Sequence, residues 1–433
     1  MPNSRVAEAD SLFRNRPFML LWVAQAISQT AQNGIFFVLM VVITEATGSA
    51  AYLSLLVFST ILPSLLFGLA AGVMVDRQSK RLILIGSNVF RAVLVVGYLG
   101  ANDNLAIIYL VNLVFATISQ FFAPAELSSI ALLVRKSQLM RANGFFNLTF
   151  TASQFAGLVF PVPVVVKIFG AYWTLVAMAG AYVVATGLVA FLPRDASART
   201  SSPGQGFLFG LWAELKEGWS FIRSKPIISF AMLNITTATT LILVLSVVAA
   251  PFVKRILGIR ADDAVYILAP AGLGVGLGAM LCPRLARALP SPRLINSAMV
   301  AFAVCLLGFG STNWVGRYLA YGLSEAAVIQ WLLAAVIPLA FLMGLAFALI
   351  TIPAQTLLQE HSPAGLRGKI FATQLTMGNV ASMVPILFIG GLADLFGIAQ
   401  VIILVGITVL GIGLFSMRRF SRLSASSAAS QRR

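Results

Sequence analysis

Gly72-Val-Met-Val-Asp-Arg-Gln-Ser-Lys-Arg81 is a short charged turn set between two apolar runs. Tyr52 to Val75 carries no charge, and Leu82 to Gly100 carries only Arg91. In lipid no backbone polar group can stay unpaired, so an uncharged run of about 20 residues reads as a spanning helix. Asp76, Arg77, Lys80 and Arg81 are therefore predicted to form a tight loop joining two membrane helices.

Composition supports this. The 433 residues are 59% hydrophobic and only 10% charged, with a mean hydropathy of +0.92. A soluble domain carries about 25% charge, so a water-soluble fold is excluded. Cys282 and Cys305 lie in or beside apolar segments and suggest neither a disulfide framework nor a metal site. His361, the one histidine, leaves little room for imidazole chemistry. Met1 to Arg16 lacks an apolar core followed by a small-residue cleavage site, so a retained first span is expected.

Apolar runs between charged or Pro/Gly/Asn-rich breaks predict twelve spans: 18–44, 51–75, 82–101, 105–134, 142–168, 172–192, 226–252, 264–283, 293–311, 327–358, 368–395 and 398–417. The expected fold is an all-α membrane protein of two pseudo-symmetric six-helix bundles, 1–193 and 226–420. A cytoplasmic linker, 194–225, holds an amphipathic piece from Leu211 to Ile222, and 421–433 reads as a disordered tail. Alternate loops counted from the amino terminus hold 24 of the 30 Lys and Arg residues. The opposite loops hold Lys167, Lys254, Arg255, Arg260 and Arg317, and Arg91 lies inside a span. This asymmetry predicts an inner (plasma) membrane location with both termini cytoplasmic. It also accounts for the net charge of +16 without nucleic acid.

The halves carry related features. Pro124-Ala125 recurs as Pro353-Ala354, Phe169-Gly170 as Phe396-Gly397, and Arg81-Leu-Ile as Arg293-Leu-Ile; Pro193-Arg194 matches Arg418-Arg419 in position. Duplicated halves around a central site point to a transporter.

With these residues in place the chain resembles the major facilitator superfamily, and within it the bacterial drug and macrolide efflux branch that includes siderophore exporters. The resemblance rests on Phe13-Arg-Asn-Arg-Pro-Phe18 with Leu21-Trp22 and Gln25-Ala-Ile-Ser28, and on Gly72-x3-Asp76-Arg77-x2-Lys80-Arg81. Phe122-Ala-Pro-Ala125, Arg141-Ala-Asn143, Arg367-Gly-Lys369 and Gly391-Leu-Ala-Asp394 complete it. It departs from the family pattern where Ser79 replaces a glycine, Gln32 stands where efflux relatives often have an acid, and the span-five signature is reduced to Phe160-Pro161-Val-Pro163. The second-half copy of the loop, Gly274-x3-Gly278-x3-Cys282-Pro-Arg284, has lost its acid. These losses weaken the case for ordinary proton antiport.

The resemblance implies a cytoplasmic gate formed by Gly72, Asp76, Arg77, Lys80 and Arg81, with Asp76 capping the start of span eleven near Arg367. A helix amino terminus, with four unpaired N–H groups and the positive dipole end, suits a carboxylate. Gly72 would allow close helix packing there. The competing reading is a solvated turn that only sets topology. Spacings of three and four put Gln25, Ser28, Gln29 and Gln32 on one face of span one, with Asn33 beside them, and Asn234 and Thr237 form a similar stripe on span seven. The resemblance implies that spans one, four, seven and ten line a central cavity; interhelical hydrogen bonding is the alternative. Arg91 and Glu126 both lie ~14 Å deep at about 1.5 Å per residue and are expected to form a structural ion pair. Asp394 and Glu45 read as capping or solvated groups near external helix ends, and His361 as solvated. Gly272-x-Gly-x-Gly-x-Gly278, within a span, reads as helix packing rather than a nucleotide loop.

No residue set supports covalent chemistry or a cofactor, so no enzyme is expected. The expected function is secondary active export of an amphipathic small molecule by alternating access, in a lipid bilayer, with protons as a candidate coupling ion and a monomer as the family default. A lysophospholipid flippase, a facilitated uptake carrier and a non-transporting scaffold or sensor are the alternatives.

Overall fold

The computed structural model describes residues 12–101, 104–135, 138–158, 160–193, 219–362 and 367–430. Twelve long helices follow in order: α1 Arg16–Thr47, α2 Ala50–Arg77, α3 Lys80–Leu99, α4 Leu105–Leu133, α5 Leu139–Leu158, α6 Val162–Ala190, α7 Pro226–Arg255, α8 Val265–Ala288, α9 Ser291–Leu319, α10 Glu325–Glu360, α11 Arg367–Phe396 and α12 Ile398–Ser430. Eleven of them contain a stretch long and apolar enough to cross a membrane. The exception is α5, which carries Arg141, Asn143, Asn147 and Gln154. Large apolar side chains stand outward along the helices, Leu110 and Val183 each at 63% exposure. A surface of that kind belongs in lipid rather than water.

Local chemistry sets the helix ends. The Asn15 carboxamide oxygen accepts from the Phe18 N–H at 3.2 Å and opens α1, while its NH₂ donates to the Leu133 carbonyl at the end of α4, 2.7 Å away. Asn104 caps α4 through the N–H groups of Ala106 and Ile107. Ser324 caps α10. Pro161 and Pro163 stand at the break between α5 and α6, where a missing N–H ends one helix and opens the next. The predicted fifth span, 142–168, is thus two helical pieces. The second continues to Gly170, whose φ of 80° turns the chain into the sixth span. Gly397, its counterpart in the sequence repeat, has φ 97° between α11 and α12. Only glycine enters that region without strain, so the duplicated Phe-Gly marks a duplicated turn.

The described chain forms two compact units. Residues up to Ala46 and from Phe58 to 193 make the first; Thr47–Val57 and residues from 219 onward make the second. The start of α2 therefore belongs with the carboxy-terminal helices, a division that the sequence places wholly in the linker. Most of that linker lies outside the described residues; 219–224 are helical. At the other end, the sequence ends the last span at 417 and begins a disordered tail at 421, whereas α12 continues to Ser430. Ser-Ala-Ser-Ser-Ala-Ala-Ser contains no Gly or Pro to stop a helix.

Within each unit the helices meet at glycines. A Cβ on Gly157 of α5 would strike the backbone of Asn33 and Gly34 on α1. In the second unit Gly274 and Gly278 of α8 lie against the backbone of Phe341 and Leu345 on α10, and Gly344 of α10 lies against Ala271 of α8. The glycine run is therefore a packing seam, as its position within a span suggested. Gly344→Leu should separate α8 from α10 at a cost on the order of 3 kcal/mol or more. Gly276→Leu, on the open face of α8 with no atom within 4 Å of its would-be Cβ, should be tolerated. Melting of the two purified variants in detergent checks this, and equal melting would contradict the seam.

Candidate functional site

The charged turn forms as expected. α2 ends at Arg77 and α3 starts at Lys80. The Ser79 hydroxyl caps α3 by accepting from the Leu82 N–H at 3.4 Å, which gives a local reason for serine where the family has glycine. Lys80 Nζ donates to the Gln78 carbonyl at 3.2 Å. Arg81 Nη2 donates to the carbonyl of Ala190, the last residue of α6. A cation at a helix carboxy terminus meets its free carbonyls and its negative dipole end. Lys80 and Arg81 thus make bonds inside the first unit. The side chains of Asp76, Arg77 and Arg367 lie outside the described residues, although α11 does begin at Arg367. Among the described residues no atom comes within 4 Å of a Cβ built on Gly72.

The amides of α1 divide in two. Gln25 is buried, and its Nε2 donates to the Phe146 carbonyl of α5 at 3.4 Å. Ser28 is fully buried and donates to Asn88 Oδ1 of α3 at 3.3 Å. Trp22 Nε1 and Ser153 Oγ add further α1–α5 bonds, to Thr149 Oγ1 at 2.7 Å and the Ala26 carbonyl at 3.2 Å. The first two turns of the stripe are therefore engaged between helices. Further along, Gln29 is almost covered, Gln32 and Asn33 are half-buried, and Asn33 Nδ2 bonds back to the Gln29 carbonyl. In the second unit Asn234 is fully buried and bonds Phe230 O and Ser416 Oγ, whereas Thr237 is half-buried. Thr240 Oγ1 and Ser382 Oγ lie 2.7 Å apart across α7 and α11.

The expected ion pair is absent. Arg91 and Glu126 are 1% and 4% exposed, yet among the described residues no ion pair joins them. Arg91 Nε and Nη1 and Glu126 Oε1 have no hydrogen-bond partner. The guanidinium lies among rings instead, 4.4 Å from the centroid of Phe122, 5.8 Å from Tyr182 and 5.9 Å from Phe115. A planar, weakly hydrated cation is suited to aromatic faces, and a desolvated ring contact is worth ~2 kcal/mol. Phe122 sits one helical turn before Glu126 on α4. The spacing of Phe115 and Phe122, seven apart on one face, could have suggested this cage; Tyr182, from α6, had no such signal.

A second cluster involves Asp394, read from sequence as capping or solvated. Its carboxylate accepts from the Ser49 hydroxyl at 2.5 Å and from the N–H groups of Ala50 and Ala51 at 3.1 and 2.9 Å, capping α2. Arg255 Nη1, at the end of α7, pairs with it at 2.9 Å. One turn earlier Gly390 of α11 touches the Ala50 backbone, and its N–H donates to Ser54 Oγ. This clip explains why Thr47–Val57 groups with the second unit. Arg255 was counted only as a loop cation in the sequence. His361 is exposed beyond α10, with Nδ1 3.0 Å from the Leu357 carbonyl. Among the described residues no three His, Cys, Asp or Glu side chains group to hold a metal. Both cysteines are free and buried.

The Major Facilitator Superfamily profile matches residues 21–385, and the chain belongs to that superfamily. It is 25% identical over 411 residues to the uncharacterized MFS-type transporter YfiS of Bacillus subtilis, covering 94% of each chain. Over 132 residues it is 30% identical to macrolide efflux protein A of Streptococcus pyogenes, covering 30% of this chain and 33% of that protein. The fold resembles the crystal structure of the nucleoside transporter NupG, with a TM-score of 0.66, 12% identity and coverage of 93% and 99%. It also resembles a bacterial homologue of the human lysosomal transporter Spinster in an inward-facing, unoccupied conformation, with a TM-score of 0.67, 14% identity and coverage of 94% and 98%.

Double-mutant cycles should separate the cage from the expected pair. Arg91→Met and Phe122→Leu should couple by about 1–2 kcal/mol, with weaker coupling between Arg91→Met and Glu126→Gln. The reverse order in detergent melts would restore the ion pair. For the clip, Asp394→Ala removes a helix cap worth about 1–2 kcal/mol and should lower the melting temperature by roughly 4 °C. Asp394→Asn should lose less, because its oxygen still accepts; an unchanged melt for Asp394→Ala would rule the clip out.

Proposed function

We propose that this multi-pass membrane transporter exports an amphipathic small molecule by alternating access, as a secondary active carrier of the inner membrane with both termini cytoplasmic. Membership of the superfamily gives transport. The match to macrolide efflux protein A is the one observation that favours export over uptake. We assign the gate to Asp76 at the end of α2 and Arg367 at the start of α11, as the resemblance implies. The substrate contacts fall on the half-buried polar groups of α1 and α7, Gln32, Asn33 and Thr237, with Gln29 at the edge of that stripe. Gln25, Ser28 and Asn234 support these helices through bonds to their neighbours.

Purified protein in liposomes loaded with a fluorescent amphiphile tests this. Efflux should be saturable and protein-dependent, and it should accelerate when an inward proton gradient is imposed. Gln32→Leu and Thr237→Val should each weaken apparent affinity roughly fivefold to tenfold, the worth of one lost hydrogen bond. Flux indifferent to the gradient would make the protein a facilitated carrier. Movement of labelled lysolipid in place of the dye would favour the flippase alternative.

A further inference from the structure

Ionisable side chains deep in the membrane spans are few, and their placement bears on what can be carried. From Arg16 to Glu45 span one has none, and from Tyr52 to Asp76 span two has none. Span seven has none between Lys225 and Lys254. Arg91 and Glu126 are the charged residues at mid-depth, and both are sealed inside the first unit, at 1% and 4% exposure. Arg91 is enclosed by Phe122, Tyr182 and Phe115. Asp394, near the end of α11, is engaged by Ser49, Ala50, Ala51 and Arg255.

The internal repeat sharpens the contrast. Pro124-Ala125-Glu126 returns 229 residues later as Pro353-Ala354-Gln355. Glu126 is closed off, whereas Gln355 is half-buried and accepts from Gln374 Nε2 at 3.4 Å. At Arg91 the counterpart in register with the Arg81/Arg293 repeat is Ala303. In the Glu126/Gln355 pair the position that stays accessible carries an amide and the charged one is shut away, whereas Arg91 and Ala303 are both buried. Half-buried polar side chains on the first, seventh and tenth spans, Gln32, Thr237 and Gln355, are likewise neutral.

We propose that the transported molecule is an uncharged amphiphile, recognised by hydrogen bonds from amides and hydroxyls to its hydroxyl, ether or carbonyl groups and by apolar contact elsewhere. This rests on the export reading above and specifies its substrate class. A fixed cation or anion would leave water without a counter-charge to meet it, and an unpaired ion at membrane depth is expensive. A neutral donor–acceptor group suffers no such penalty, because each amide offers both a carbonyl and an NH₂.

Three fluorescent amphiphiles on one apolar scaffold would test this: one bearing a short oligo(ethylene glycol) arm, one a trimethylammonium group and one a sulfonate. Downhill efflux from proteoliposomes without an ion gradient, corrected against protein-free vesicles, gives transport free of coupling. Ligand-induced thermal shifts on the same full-length protein give binding. The neutral probe should move faster than either charged one by more than about tenfold and should give the largest shift. Gln355→Leu should reduce both readouts for the neutral probe. Glu126→Gln should leave its efflux unchanged provided the variant melts like the parent; if it does not, Gln355→Leu and the wild-type comparison decide. Equal or faster efflux of a charged probe, or charged-probe efflux abolished by Glu126→Gln, would overturn the proposal while leaving export intact. No flux and no thermal shift with any probe would overturn the export reading itself.

Discussion

At Gly344 the backbone of α10 rests on the backbone of α8 at Ala271, with no side chain between them. Much of the second unit depends on this kind of contact. Lipid tails are as apolar as leucine, so hydrocarbon supplies little hydrophobic drive to bring two helices together. Cohesion must come from dispersion at short range and from hydrogen bonds, and both need close approach. Gly274, Gly278 and Gly344 give that approach between α8 and α10, Gly310 gives it between α9 and α12, and Gly390 brings α11 onto the first turn of α2. Where glycine lets backbones touch, polar side chains follow: Ser54 reaches Gly390, and Asp394 reaches the turn before it.

The first unit has such a contact at Gly157, against the α1 backbone, and adds side-chain bonds to it. It has a core that includes Phe18, Phe122, Phe146 and Val189, and hydrogen bonds run between its helices. Gln25 reaches α5, Ser28 reaches Asn88, and Asn112 of α4 donates to Ser59 and Thr60 of α2 at 2.8 and 3.0 Å. Each of these amides would be costly in lipid alone. Paired across helices, they fix the rotation of one helix against the next, which dispersion by itself leaves loose.

Hydropathy made the spans legible because the bilayer imposes length and polarity on every crossing helix at once. The Phe-Gly repeat likewise marks two of the positive-φ turns, at Gly170 and Gly397, since turn geometry is a local demand on residue type. Side-chain partners were not legible in the same way. Depth along a helix put Arg91 and Glu126 at one level, but level does not fix rotation, and the rings of Phe115, Phe122 and Tyr182 had the better claim on the guanidinium. Spacing puts the amide stripe on one face of α1, but it could not tell a neighbouring helix from open space. Gln25 and Ser28 met helices; Gln32 is half-buried. Asp394 was recognisable as a cap, whereas its pairing with Arg255 depends on two helix ends 139 residues apart in the chain.

Duplication copied a scaffold without copying its charges. Cys282 stands in register with Asp76, Ala303 with Arg91 and Gln355 with Glu126. Each replacement removes an ion from a place where keeping one demands a ring cage, a helix end or a paired charge. The first unit meets that demand at Arg91 with three aromatic rings and at Arg81 with the terminal carbonyl of α6. The second unit is relieved of it at those positions, and small residues can stand where bulky partners would otherwise be required. Cys282 is buried four residues after Gly278, on the helix whose glycines meet α10. The glycine seam and the missing acid are two aspects of one arrangement: from Val265 to Cys282 α8 carries no charge, and within that stretch it packs backbone to backbone on α10 at Ala271, Gly274 and Gly278.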